Sequence, residues 1–237
     1  VNRRPNANGD SVRHPAEAAS LSTRQYAGLH AAAVHAEGHL PPSVPDSEVH
    51  ELAELGLVET IAADGADRFG PLTRAPRFRI TGRGRDRARA EPLPRVLLVP
   101  CSMGKANVPA APAGEMYVGS YHVAARRAAA AASADGSAQV LTLSAKFGLL
   151  RDEDRILRYD LRAGDSGTVT PQALTRQAHF LGVSAARVTV FAGKAYADLA
   201  RTIWPGLEHP LEGRGIGQHL AFFAALYRPG RTADARP

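Results

Sequence analysis

The stretch Arg95-Val96-Leu97-Leu98-Val99-Pro100-Cys101-Ser102-Met103-Gly104-Lys105 decides the fold. Its first five residues read as a buried strand, a short apolar run closed by Pro and Gly. Two later stretches repeat the arrangement. Gln139-Val140-Leu141-Thr142-Leu143 runs into Ser144-Ala145-Lys146-Phe147-Gly148, and Arg187-Val188-Thr189-Val190-Phe191 runs into Ala192-Gly193-Lys194-Ala195-Tyr196. Helical patterns alternate with them: an Ala-rich segment from about Ser120 to Ser133, one from Thr170 or Pro171 to about Leu181, one from Lys194 to Trp204, and Ile216 to Tyr227. Strands alternating with helices predict an α/β domain over residues 95–228, a mostly parallel sheet with flanking helices.

Upstream, Pro92 and Pro94 mark a linker, and the pattern before them differs. Ser22 or Thr23 caps a predicted helix to about Glu37, stopped by Gly38. A second helix begins at Asp46 or Ser47, buries Val49, Leu52 and Leu55, and stops at Gly56. Leu57-Val58-Glu59 and Arg77-Phe78-Arg79-Ile80 read as strands joined by a loop, and an Arg-rich helix follows. Residues 1–20 lack hydrophobic periodicity and carry Pro5, Asn8-Gly9 and Pro15, so they read as a disordered tail. Residues 229–237 read as a flexible one.

With 237 residues, 44% of them hydrophobic and 22% charged, the chain can bury a core without a metal or disulfides. One cysteine excludes an internal disulfide framework. The sequence has no metal-ligand spacing, so no cofactor is expected, and no run near the ~20 apolar residues of a membrane span. A cytoplasmic location is the default. The net charge of +6 is uneven: residues 1–94 are neutral in sum, 12 Arg against 12 Asp and Glu, so the excess lies in the α/β part. Even so, Arg74, Arg77, Arg79, Arg83 and Arg85 crowd one short stretch, a candidate nucleic-acid contact.

In open α/β sheets, ligands bind at the carboxyl ends of strands, where loops and helix N-termini converge. That rule places Cys101, Lys105, Lys146 and Lys194 near one crevice. Of 29 basic residues only three are Lys, and all three follow predicted strands. Arginine serves as the generic cation here, so a retained lysine points to a compact charge, a tunable pKa or a nucleophilic amine. Cys101, beside Ser102 and Lys105, is a candidate nucleophile or an inert small core residue. Tyr117, Ser120 and His122 form a second cluster, with Ser120 a candidate helix cap and His122 a ligand contact or a surface residue. Tyr159-Asp160, after the Gly148-Leu149-Leu150 turn, offers a carboxylate for general-base work or a surface turn. Gly215, Gly217 and Gln218 open the last helix and could cradle an anion.

Pro100-Cys101-Ser102, Lys105, Tyr117 with Ser120, Leu143 to Leu149, Tyr159-Asp160, Ala192 to Tyr196 and Gly215 to Gln218 occur in an order that resembles an uncharacterised bacterial domain family. That family is grouped loosely with the peroxide-stress protein YaaA. A more distant likeness is to the core domain of archaeosine synthase, which adds an amine to the nitrile of a 7-deazaguanine base in transfer RNA. Pro100-Cys101 and Lys105 fit its motif; an insertion separates Lys105 from Tyr117, and Ser120 to His122 is one residue short. This likeness implies a nucleobase or modified-purine pocket. Residues 21–90 resemble a winged-helix module, in which the second helix reads a DNA groove and the loop touches phosphates. The helix in that position carries Asp46, Glu48, Glu51 and Glu54 and no Arg or Lys, so it would repel phosphate; a helical adaptor or dimer contact stands beside DNA contact through the Arg-rich loop.

The leading expectation is an enzyme acting on a nucleobase, nucleotide or modified base, alone or in nucleic acid. Cys101, Lys105, Lys146 and Asp160 would be catalytic. Ser102, Tyr117, Ser120, His122, Ser144, Tyr159, Gly193, Lys194, Tyr196, Gly215, Gly217 and Gln218 would bind substrate. Two alternatives stand beside it: a DNA-binding regulator whose α/β domain senses a small anionic metabolite, and a hydrolase of N-glycosidic bonds with Asp160 as base. DNA or RNA and a second copy of the chain are the expected macromolecular partners.

Overall fold

A computed structural model describes residues 21–61 and 77–228. The tails expected at 1–20 and 229–237, and the loop between the N-terminal strands with Arg74, lie outside the described residues.

The N-terminal elements run α1 (Thr23–Val34), α2 (Asp46–Glu54), β1 (Val58–Ile61), β2 (Arg77–Ile80) and α3 (Gly82–Arg89). Ser22 and Gln25 open α1 reciprocally: Ser22 Oγ accepts the Gln25 N–H at 3.1 Å, and Gln25 Oε1 accepts the Ser22 N–H at 2.7 Å. The helix stops three residues before the expected Glu37. His35 turns extended, its Nδ1 accepts the N–H groups of Glu37 and His39, and Gly38 completes the reversal at φ 72°. β1 and β2 pair antiparallel from Val58 opposite Ile80 to Ile61 opposite Arg77. Leu29, Leu52, Leu57, Val58, Ile80 and Ala88 lie in a core cluster drawn only from this part of the chain.

The α/β part continues with β3 (Arg95–Pro100), β4 (Ala110–Pro112), α4 (Ala113–Met116), α5 (Ser120–Ala132), β5 (Ala138–Ser144), β6 (Gly148–Leu150), β7 (Arg155–Leu157), α6 (Pro171–Phe180), β8 (Arg187–Val190), α7 (Lys194–Arg201) and α8 (Ile216–Tyr227). The main sheet has the order β6-β5-β3-β8, with β3 parallel to both β5 and β8 and β6 antiparallel at the edge. Central β3 is buried on both faces. Val96 and Leu98 pack with Leu174 of α6 and Ala197 of α7; Leu97 and Val99 pack with Ala125 of α5 and Phe223 of α8. This two-sided burial is why β3 reads as an unbroken apolar run. Each such side chain contributes about 1.5–3 kcal/mol by leaving water.

In the α/β part, two elements differ from the sequence expectation. Gly148-Leu149-Leu150 is not a simple turn but the edge strand β6. Gly148 adopts φ 77°, which lets the chain reverse after Phe147, and Gln177 of α6 holds the reversal. Its Nε2 donates to the Phe147 carbonyl at 2.7 Å, and its Oε1 accepts the Leu149 N–H at 3.0 Å. α7 ends at Arg201 rather than Trp204, since Pro205 disfavours helical backbone in the residue before it. A second small sheet, β4 with β7, was not legible in the sequence. Its strands are three residues long, too short to show alternation.

Candidate active site

Cys101 sits one residue beyond β3, where its N–H donates to the Leu143 carbonyl of β5 at 3.0 Å. This extends the parallel pairing past the strand and brings Ser144-Ala145 against the sulfur. Ala145 N–H lies 3.4 Å from Sγ, the Tyr159 hydroxyl donates to it at 3.4 Å, and the Tyr196 hydroxyl lies 2.9 Å away.

Behind the sulfur is a buried chain of hydroxyls. Tyr117 donates to Ser144 Oγ at 3.1 Å, and Ser144 and Tyr159 meet at 2.8 Å. Ser144 Oγ also accepts the N–H groups of Lys146 and Phe147. Each hydroxyl has one proton to give, so the series runs Tyr117 to Ser144 to Tyr159 to sulfur. Burial holds the Tyr117 phenol up at about 12. Burial, then the neighbouring Cys101, pushes Tyr159 and Tyr196 higher still. All three remain O–H donors at neutral pH. The Tyr159 hydroxyl and the Ala145 N–H thus both point at Sγ, and the Tyr196 hydroxyl shares a hydrogen bond with it in which either atom can donate.

The Lys105 backbone bridges that of Tyr117, because Ala106 N–H donates to the Met116 carbonyl and Val118 N–H to that of Gly104. The insertion between Lys105 and Tyr117 is thus an excursion, carrying β4 and α4, that returns the tyrosine to the lysine. Lys105 is buried, its Nζ donates to the Ser102 carbonyl at 3.0 Å, and it stands 4.1 Å from the centre of the Tyr159 ring. Burial lowers its pKa; Cys101 and Asp160 partly oppose that. Lys146 is exposed, 5.7 Å from the centre of the same ring. Asp160 is exposed beside them.

On the other side of Cys101 a cavity of about 420 Å³ opens, lined by Cys101, Tyr196, Gly193 and Lys194, and by Tyr121, Ile216 and His219. The candidate residues therefore divide. Cys101, Lys105, Ser144, Tyr117, Tyr159 and Tyr196 form one connected cluster, with Lys146 and Asp160 at its exposed edge. Lys194 touches the cavity but its side chain is 83% exposed, and its ammonium pairs with Asp198 one turn along α7 at 2.6 Å. Gly215 caps α8, with Gln218 Oε1 accepting its N–H at 3.0 Å, and Gly215, Gly217 and Gln218 are exposed without lining the cavity.

Two expectations change. Ser120 is not the cap of α5: Gly119 holds that place, and Ser120 is exposed in the first turn. Ser102 does the tethering instead, accepting the Gly119 N–H at 3.2 Å and donating to the Gly104 carbonyl at 2.7 Å. His122 is not a surface residue but is buried under the strand end, with Nδ1 2.7 Å from the Pro100 carbonyl. That bond assigns the proton to Nδ1, and burial keeps the imidazole below the ordinary histidine range. Sequence reasoning missed Tyr121, His219 and Gln177. Each lies on a helix, and no local pattern announces what it meets across the fold.

Near the Arg-rich stretch, Arg79 pairs with Glu59 at 2.7 Å and Arg85 donates to the Ile80 carbonyl. Arg77 and Arg83 are exposed without an ion-pair partner among the described residues. On α2, Glu48 and Glu51 accept from Ser22 and Gln25 of the α1 start. Among the described residues no helix is long and apolar enough to cross a membrane, and no group of His, Cys, Asp and Glu is placed to hold a metal ion.

No curated protein and no solved structure matches the chain. The model of one family does match, over residues 96–225, a span that runs from β3 into α8 and takes in the whole cluster around Cys101 and every residue lining its cavity. On that match the chain belongs to the family of unknown function DUF6884.

Proposed function

We propose that the chain is an enzyme acting on a nucleobase, nucleotide or modified, 7-deazaguanine-like base, with Cys101 as its nucleophile. The observation that carries this reading is the convergence of Tyr159, Tyr196 and the Ala145 N–H on a sulfur that also lines an aromatic-walled cavity. A cavity of about 420 Å³ suits a ligand of base size, and the rings of Tyr121, Tyr196 and His219 offer flat apolar surface to a planar one. Lys194 is the cation lining the cavity, and in this reading Lys105, Lys146 and Asp160, across the sulfur from it, serve a phosphate or other polar group that extends past Cys101.

The chemistry this reading implies is addition. The thiolate forms a C–S bond to an electrophilic carbon, and the displaced π pair goes to the adjacent nitrogen, which takes a proton. Where that carbon is a nitrile the adduct is a thioimidate that keeps a C=N bond; water or an amine then adds to it and gives up a proton to solvent, and the C–S pair returns to sulfur. The test is protection. Iodoacetamide alkylates Cys101, followed by intact mass, and 7-deazaguanine bases, purine bases and nucleotides are added in turn. At least one class is expected to slow alkylation about tenfold, with the effect of nucleotides weakened in Lys146→Ala. Alkylation indifferent to every base and nucleotide would overturn the reading.

A second reading rests on the exposed Arg77 and Arg83 and on the hydrogen bonds that engage Glu48 and Glu51 of α2 with Ser22 and Gln25 at the start of α1. In it the N-terminal part is a winged helix that contacts DNA, and the α/β part senses a small anionic metabolite at Lys105 and Lys146. A duplex recovered by selection, released by inorganic phosphate or nucleotides and bound equally by Cys101→Ser, favours this reading. Loss of Arg77 and Arg83 would then flatten the salt dependence of binding.

A further inference from the structure

We infer that Tyr121 and His219 form a proton-relay pair serving the Cys101 cavity, with Tyr121 the catalytic residue that contacts the attacking water or amine and His219 its proton acceptor. The inference rests on the reading of Cys101 as nucleophile and adds the group that completes turnover.

Tyr121 lies in the first turn of α5 and His219 in the first turn of α8, helices that pack together along their length. The Tyr121 hydroxyl is 2.7 Å from His219 Nδ1, and His219 Nε2 is 3.2 Å from the Leu211 carbonyl. A carbonyl only accepts, so Nε2 carries the proton and Nδ1 presents its lone pair to the tyrosine. The hydroxyl proton therefore points at the imidazole, and the lone pairs of the tyrosine oxygen are free to accept another. This is the order a relay requires: a donor already committed to a base, with the base oriented by a third group. Burial holds the Tyr121 phenol at about 12, so a proton passes through the oxygen without leaving a phenolate behind.

A histidine that merely ties two helices together needs no access to ligand. Here both partners line the same cavity as Cys101 and Tyr196. The step balances as follows. Water attacks an acyl or imidoyl carbon held on Cys101, and its proton moves to the Tyr121 oxygen as the Tyr121 proton moves to His219 Nδ1. The C–S bond then breaks with its electron pair returning to sulfur, and the imidazolium releases its proton to solvent.

The probe is p-nitrophenyl acetate. A stoichiometric burst of p-nitrophenolate reports acetylation of Cys101, and the later steady rate reports hydrolysis of the thioester. The full chain is expected to show both, and Cys101→Ser neither. Tyr121→Phe keeps the ring edge-on to Phe223, at 5.4 Å between centroids, and removes only the oxygen. It is expected to retain the burst while the steady rate falls about 10²-fold and loses its solvent deuterium isotope effect. His219→Gln is expected to behave alike. An intact burst with the steady rate and isotope effect unchanged in Tyr121→Phe overturns the relay and leaves Cys101 standing. A wild-type chain without a burst overturns the nucleophile itself, and the relay with it.

Discussion

On one side of Cys101 the chain packs Tyr117, Ser144, Tyr159 and Lys105 into a closed polar shell, each at most 9% exposed. On the other side Tyr121, Tyr196, Ile216 and His219 leave a cavity, and Ile216 is 68% exposed. The shell spends its donors on one another and on the sulfur, so its removal costs stability. The cavity side makes fewer bonds per polar group and keeps apolar ring surface bare, so on the proposed function its removal would cost ligand contact. The contrast teaches that one residue at a strand end can have two unlike sides: Cys101 is hydrogen-bonded from behind and faces an open cavity in front.

The largest expected effect tests the shell. Tyr159→Phe leaves Ser144 and Cys101 each short of a buried partner, which costs about 1–3 kcal/mol in urea unfolding. Tyr196→Phe, on a half-buried residue facing the cavity, is expected to cost under about 1 kcal/mol while slowing alkylation of Cys101. Equal losses in the two variants would break the contrast.

A smaller effect comes from His122, whose Nδ1–H holds the strand end that presents Cys101. Its pKa is lowered in the fold, first by burial. The unfolded chain therefore binds the proton more readily, and stability is full above the ordinary value of 6.5 and declines as pH falls below it. His30, His35 and His179 are shifted in the same direction, so the decline is shared. His122→Gln is expected to show a shallower fall in melting temperature between pH 7 and pH 5 than the parent. An identical slope in both proteins would sink this account.

The smallest effect concerns the cavity rim. The Lys194 pair with Asp198 is exposed, and such a pair contributes about 0–1 kcal/mol. Lys194→Ala is expected to change stability by less than about 0.5 kcal/mol and to leave the rate of Cys101 alkylation unchanged. A large change in that rate would move Lys194 into the site and join the rim to the shell.

How far the site was legible depended on distance along the chain. Cys101 follows β3 directly, Ser144 ends β5 and Lys146 lies two residues beyond it, and parallel pairing of β3 with β5 brings these strand ends together by the same rule that places ligand sites there. Tyr159 and Tyr196 were legible as motif residues, but not as hydrogen-bond partners of a sulfur 58 and 95 positions away. The bond between Tyr121 and His219 spans 98 positions and has no local trace. Lysine scarcity marked all three lysines alike. Only the fold separates Lys105, buried over Tyr159, from Lys194, paired in solvent.

What the sequence by itself determined is the α/β class, the strand order of chemistry along the chain and the place of Cys101 at the end of the most buried strand, because hydrophobic periodicity and turn residues act over a few neighbours. What only the tertiary structure decided is which side chains face the sulfur, which lysine is desolvated and that β6 closes the sheet edge. Those outcomes depend on helices packing across the sheet, and packing joins residues that no local pattern relates.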